Sequence, residues 1–163
     1  MVARSVAYLV NCETLDVEDF LQQVAASVDQ PEFEDFAHNI RNLKSYLKKD
    51  VIDALFELGG LGIKPPWPNP SVETGRGFIA AYAMSATLAA LYCFLLSPDD
   101  FENSVVEAVM AGGDTDTCGA ITGSISGSYN GLSKIPSKWV KDVVNTKKIE
   151  LLGNKLFEAT EKR

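Results

Sequence analysis

The chain reads as all-α. Apolar residues recur at spacings of three and four, most cleanly at Phe33, Phe36, Ile40, Leu43 and Leu47. No alternating run is long enough to make a strand. Capping residues precede the apolar stretches, as Asp16 does for Phe20, Leu21 and Val24.

Taken in order, Arg4 to Asn11 has the character of a helix end. Asp16 caps a second helix, and Glu32 to Lys49 forms a third. Asp50 starts a short helix through Leu58 bearing Ile52, Leu55 and Phe56. Residues 59–77 then carry Gly59, Gly60, Gly62, Pro65, Pro66, Pro68, Pro70, Gly75 and Gly77, a density of breakers that no helix survives. A loop this long inside a domain is either a binding loop or a crossover between helices. Phe78 to Leu96 lacks any charged residue and is long enough to span a bilayer. It holds Ser85, Thr87 and several alanines and has no basic flank, so a buried core helix is the expectation. Ser97-Pro98-Asp99-Asp100 breaks it and caps Phe101 to Met110, with Phe101, Val105, Val106 and Val109 expected inward. A helix from Thr117 to Tyr129 follows, then Ile135-Pro136-Ser137, a short helix around Trp139, and a last helix from Lys147 to Glu161. Ile149, Leu152, Leu156 and Phe157 are expected on the inner face of that last helix.

The bulk properties exclude several classes. A chain of 163 residues is long enough for one domain with its own core. A net charge of −7 without basic clusters argues against a nucleic-acid surface. Cys12, Cys93 and Cys118 are odd in number and lack CxxC spacing, so neither a disulfide framework nor a zinc site is indicated. No basic region leads into an apolar stretch at the N-terminus, and a reducing cytoplasm is the expected compartment.

The segment Ala111-Gly112-Gly113-Asp114-Thr115-Asp116-Thr117-Cys118 carries the chemistry. Carboxylate and hydroxyl oxygens are hard donors that suit Mg²⁺ or Mn²⁺. The glycines permit a sharp turn, and a helix N-terminus lowers the cost of crowding two anions. Asp114, Asp116 and Thr117 are therefore candidate metal ligands. Asp-x-Asp pairs are more often plain solvated caps, and that reading stands beside the metal one. An EF-hand does not fit, since its later glycine and distal glutamate are missing. A phosphatase-type nucleophile motif fits poorly, because no strand feeds the turn. Gly119, Gly123, Gly127 and Gly131 then repeat every four residues. Each costs about 1 kcal/mol relative to alanine within a helix, so the stripe is expected to let another backbone come close. His38, the one histidine, lies far along the chain from the turn and receives no catalytic role.

Gly112-Gly113-Asp114-Thr115-Asp116-Thr117, the small-residue helix Cys118 to Gly131, Ile135-Pro136 and Trp139 together resemble the C-terminal signature of the ADP-ribosylglycohydrolase family. Ala90 to Leu95 and the helix Phe101 to Met110 fit the same pattern, and the resemblance is strongest from Gly77 to Trp139. It implies an orthogonal all-α bundle around two Mg²⁺ ions, with Mn²⁺ in some members. Asp114, Asp116 and Thr117 match the C-terminal metal ligands, Asp116 as the bridge between ions. The implied activity is hydrolysis of the glycosidic bond at the distal ribose of ADP-ribosylated protein or poly-ADP-ribose. Gly75, Gly77, Phe78 and Ile79 would line the substrate groove. Family members run to roughly twice this length, and their N-terminal Gly-Asp segment, Thr-Asp-Asp motif and catalytic acid are not found here. No catalytic residue is therefore assigned in this chain. Residues 1–163 are expected to form either a single domain or the C-terminal half of a larger all-α domain, inactive in isolation. Such a chain is expected to pair with a separate N-terminal chain or to self-associate. The competing expectation is a non-enzymatic structural or interaction protein that keeps the fold, as crystallins related to this family do. A metal-dependent phosphohydrolase is a third, weaker reading.

Overall fold

A computed structural model describes residues 1–63 and 79–161, with the side chains of the last two of these left aside. Its centre is one helix. The run AMSATLAALYCFLL forms α5 (Ala83–Leu96), and every residue from Ser85 to Leu95 is buried. A helix apolar on all sides requires neighbours on all sides, and the chain itself supplies them. The surrounding helices are α3 (Glu34–Tyr46), α4 (Val51–Gly59), α6 (Phe101–Met110) and α7 (Thr115–Asn130). Two more helices, α1 (Val2–Leu9) and α2 (Val17–Ala26), complete the body. Phe94 joins α5 to both flanks, with ring centroids 5.9 Å from Phe20 and 6.1 Å from Tyr129. Each large side chain buried in this way contributes about 1.5–3 kcal/mol. Tyr92 is fully buried, and its hydroxyl finds no hydrogen-bond partner among the described residues. Burial pushes its pKa up to about 12. No helix among the described residues is long and apolar enough to cross a membrane.

Aspartates start the helices for a local reason. The carboxylate of Asp16 accepts from the N–H groups of Glu18 and Asp19, that of Asp50 from Ile52 and Asp53, and that of Asp100 from Asn103. Each satisfies amides that the first helical turn leaves without partners. Before α3, Pro31–Phe33 forms a 3₁₀ turn, so the helix starts at Glu34 and Phe33 stays about half exposed. Ile52 and Phe56 on α4 also face outward.

Four expectations need correction. First, α5 starts at Ala83 rather than Phe78: the N–H groups of Ile79 and Ala80 are bonded to Gly112 and Gly59 instead. Second, α6 turns Phe101, Ser104 and Ala108 inward and leaves Val106 and Val109 exposed. Small residues let α6 lie close to its neighbours, and Ser104 is satisfied by donating to the carbonyls of Ser97 and Asp100. Third, the glycine stripe of α7 faces side chains rather than a backbone. A Cβ at Gly119, Gly123 or Gly127 would look onto Val109, Val105 or Phe101 of α6. The stripe's neighbours therefore lie within this chain. Fourth, the last helix does not turn its apolar face inward. In α9 (Thr146–Glu161), Ile149, Leu152, Leu156 and Phe157 are all more than half exposed. Its first turn closes on the body. There Thr146 and Ile149 meet Phe101, Trp139 and Val140 around an apolar cleft of about 270 Å³. The intervening α8 (Ser137–Asp142) carries Trp139, whose ring lies 6.0 Å from Phe101.

Candidate metal half-site

Gly112 and Gly113 both adopt left-handed backbone, at φ 81° and 77°, which glycine takes without steric cost. They turn the chain out of α6 and into α7. The N–H of Thr115 then donates to the Gly113 carbonyl at 2.9 Å, closing a three-residue turn around Asp114. Asp114 sits at φ −77°, ψ 63°, the geometry of an inverse γ-turn.

This conformation separates Asp114 from the other helix-starting aspartates. It occupies the N-cap of α7, yet its carboxyl takes no cap hydrogen bond from the helix. Asp16, Asp50 and Asp100 hold ψ between 96° and 140° and bond their own first turns. Asp114 thus keeps oxygens that an ordinary cap would use. The helix starts at Thr115, two residues earlier than expected, which places Asp116 and Thr117 in its first turn. Both are exposed, Asp114 and Thr115 are half-buried, and Cys118 turns inward. The hydrogen-bonding side chain of Asp114 holds the Asp116 carboxyl below the usual carboxylate range, helped by the N–H groups of Thr117 and Asp116. Cys93 of α5 and Cys118 of α7 are both buried, and the interaction between their thiols raises Cys93 and lowers Cys118.

The structure therefore brings Asp114, Asp116 and Thr117 to one helix end. Their donor set, two carboxylates and a hydroxyl, fits a hard divalent cation. It is only part of a coordination shell. Among the described residues no group of three or more His, Cys, Asp or Glu side chains could hold an ion. Of the substrate-groove candidates, Gly75, Gly77 and Phe78 lie outside the described residues. Ile79 has a fully buried side chain. Its main chain pairs with the turn: its N–H donates to Gly112 O at 3.2 Å, and its carbonyl accepts from Asp114 N–H at 2.8 Å. Sequence reasoning missed this pairing. The Gly-Gly preceding Asp114 was its only local sign.

Comparison with known proteins places these features. The family model described as ADP-ribosylglycohydrolase matches residues 1–163. ADP-ribosylhydrolase ARH3 of Homo sapiens is 30% identical over 100 residues, covering 55% of this chain and 27% of that protein. An uncharacterized protein of Archaeoglobus fulgidus is 28% identical over 158 residues, 96% of this chain and 44% of its own length. ADP-ribosylarginine hydrolase Tri1 of Serratia proteamaculans is 34% identical over 71 residues, 44% of this chain and 19% of that protein. The chain thus matches less than half the length of each of these relatives. No solved structure matches it. The family model spans the acidic turn, the central helix and the helices around them, and the chain belongs to the ADP-ribosylglycohydrolase family.

Proposed function

We propose that this chain supplies the C-terminal ligands of the magnesium centre of an ADP-ribosylglycohydrolase-type hydrolase, which cleaves the glycosidic bond at the distal ribose of an ADP-ribosylated protein or polymer. The observation that carries the reading is the uncapped carboxyl of Asp114 beside exposed Asp116 and Thr117. Three of the four aspartates at helix starts serve their own helices, and this one does not. Asp114, Asp116 and Thr117 would hold the ions, two in the complete site, with Mn²⁺ as the substitute for Mg²⁺. Bound there, the metal orients the distal ribose and offsets developing charge. The chain's own contribution is placement. The glycine turn presents the carboxylates together, and the N-terminus of α7 favours their negative charge.

Mg²⁺ demands near-octahedral coordination, and three protein oxygens leave that shell half filled. The acid and the remaining ligands belong to an N-terminal portion of the family fold, on a longer polypeptide or a separate chain. Calorimetric titration with Mn²⁺ tests this. Weak binding is expected for the chain alone, tight binding and release of ADP-ribose once the N-terminal portion is added, and loss of both in Asp114→Asn. Tight stoichiometric binding by the chain alone, or an Asp114→Asn variant that binds as the parent does, would overturn the reading.

A further inference from the structure

The acidic turn does not hold its shape by itself. A Cβ at Gly113 would overlap the Ile79 carbonyl oxygen and stand 2.6 Å from the Ile79 nitrogen. Both atoms are main chain, so no flexible side chain can move aside. The peptide groups of Ile79 grip the turn on each side of Gly113, through Gly112 O and Asp114 N–H. The next residue, Ala80, donates its N–H to Gly59 O at 3.2 Å and ties this segment to the end of α4. The Ile79 side chain is fully buried in the core and takes no part in these main-chain bonds.

We propose that Ile79 is a positioning residue for the metal ligands and acts through its main chain. Its carbonyl fixes the Asp114 amide. That bond and the turn closed by Thr115 hold Asp114 in the γ-turn that swings its carboxyl off the helix end. Without the clasp, Asp114 relaxes toward the extended backbone of Asp16, Asp50 and Asp100 and caps α7 as they cap their helices. Gly113 is glycine because the clasp leaves no room for a side chain, and its left-handed φ is the lesser reason. Ile79 then belongs to the metal side of the site.

This rests on the metal reading, and the test separates the two. The full chain, labelled with ¹⁵N, is titrated with Mn²⁺ into the millimolar range while paramagnetic broadening of amides 112–118 is followed, a readout that registers weak binding. In Gly113→Ala the Mn²⁺ concentration for half-broadening is expected to rise at least tenfold. Gly131→Ala is the control. It lies at the other end of α7, also at positive φ (73°), and its added Cβ meets nothing within 4 Å, so it places a side chain at a positive-φ glycine without the clash and binding is expected to be unchanged. Ile79→Ala keeps the clasping peptide groups and loses only packing, so it is expected to lower the melting temperature and keep the broadening. Broadening that survives Gly113→Ala, or that vanishes in a folded Ile79→Ala, overturns the clasp while the metal reading stands. Where Gly113→Ala does not fold, the Ile79→Ala result decides. Absence of selective broadening in the parent chain overturns the metal reading and the clasp with it.

Discussion

Gly123 lies in the middle of α7, and Gly123→Ala measures how closely α7 and α6 meet. A Cβ built there has Val105 Cγ2 as its nearest neighbour at 3.8 Å, an ordinary van der Waals contact. No repulsion opposes the methyl group. Alanine gains about 1 kcal/mol over glycine in a helix interior, because the glycine backbone loses more freedom on folding. The half-buried methyl adds a fraction of the roughly 0.8 kcal/mol that a fully buried methylene contributes. The expected outcome is stabilisation by about 1–1.5 kcal/mol, or a rise of about 2–4 °C per kcal/mol in the melting temperature of a domain this size. Gly127→Ala, with Phe101 Cε2 at 3.6 Å, carries the same sign. Gly119→Ala ranks below both, because Val109 Cγ2 at 3.2 Å must give way by a few tenths of an ångström. Val109 is 45% exposed and has room to do so. Urea unfolding of the three variants gives the order directly. Destabilisation of Gly123→Ala by 1 kcal/mol or more would refute the argument, since it would mean that the backbones approach more closely than these distances state.

Phe94→Ala removes the ring between Phe20 and Tyr129 and is expected to cost about 3–5 kcal/mol in urea unfolding. Asp16→Ala breaks a working cap and is expected to cost about 1 kcal/mol, whereas Asp114→Ala breaks none and is expected to stay within about 0.5 kcal/mol. Comparable losses in both would show that Asp114 caps after all. Phenolate absorbance of Tyr8 and Tyr92 should rise late. Tyr8 is pushed up to about 12 by donating to Asp19 Oδ2 at 2.7 Å, and Tyr92 up to about 12 by burial. Both pKa values are raised above the unfolded value near 10, so their stabilisation is complete below about pH 10 and is lost as the pH rises through about 12. Tyr8→Phe is expected to remove one of the two late steps, and an unchanged absorbance titration would contradict the assignment.

The class of the fold and most helix limits were legible because they depend on neighbouring residues. A cap is read from one aspartate, and a buried helix from an uninterrupted apolar run such as that before Leu96. What was not legible depends on partners far along the chain. Val106 and Val109 look like core residues by size, yet the fully buried residues of α6 beyond Phe101 are the small Ser104 and Ala108, while Val109 lies partly exposed over Gly119 of α7. Glycine spacing showed which face of α7 is small but not that side chains of α6 would fill it. The amphipathic pattern of α9 names an apolar face without naming what covers it. At the acidic turn the donor atoms were readable, most specifically through the family resemblance. The backbone of Asp114 was not, since it is bonded to Ile79, and the Gly-Gly before it hints at a close approach without naming a partner so remote in sequence.

Ile79 and Gly113 stand 34 residues apart, and the helical hairpin of α5 and α6 fills the interval. Bringing the ends of a free chain that long together costs about 3 kcal/mol beyond the constant part of loop closure. The hairpin lowers this cost, because its contacts across the Ser97–Asp100 turn are short-range in sequence and form before distant ones reward the chain. Docking of the hairpin brings its two outer ends side by side, and Asp114 has both its turn partners only where Ile79 has arrived. In the unfolded chain the three donor oxygens are close in sequence but have no fixed arrangement. The arrangement of the candidate metal ligands thus hangs on a contact that their own neighbours in sequence cannot make.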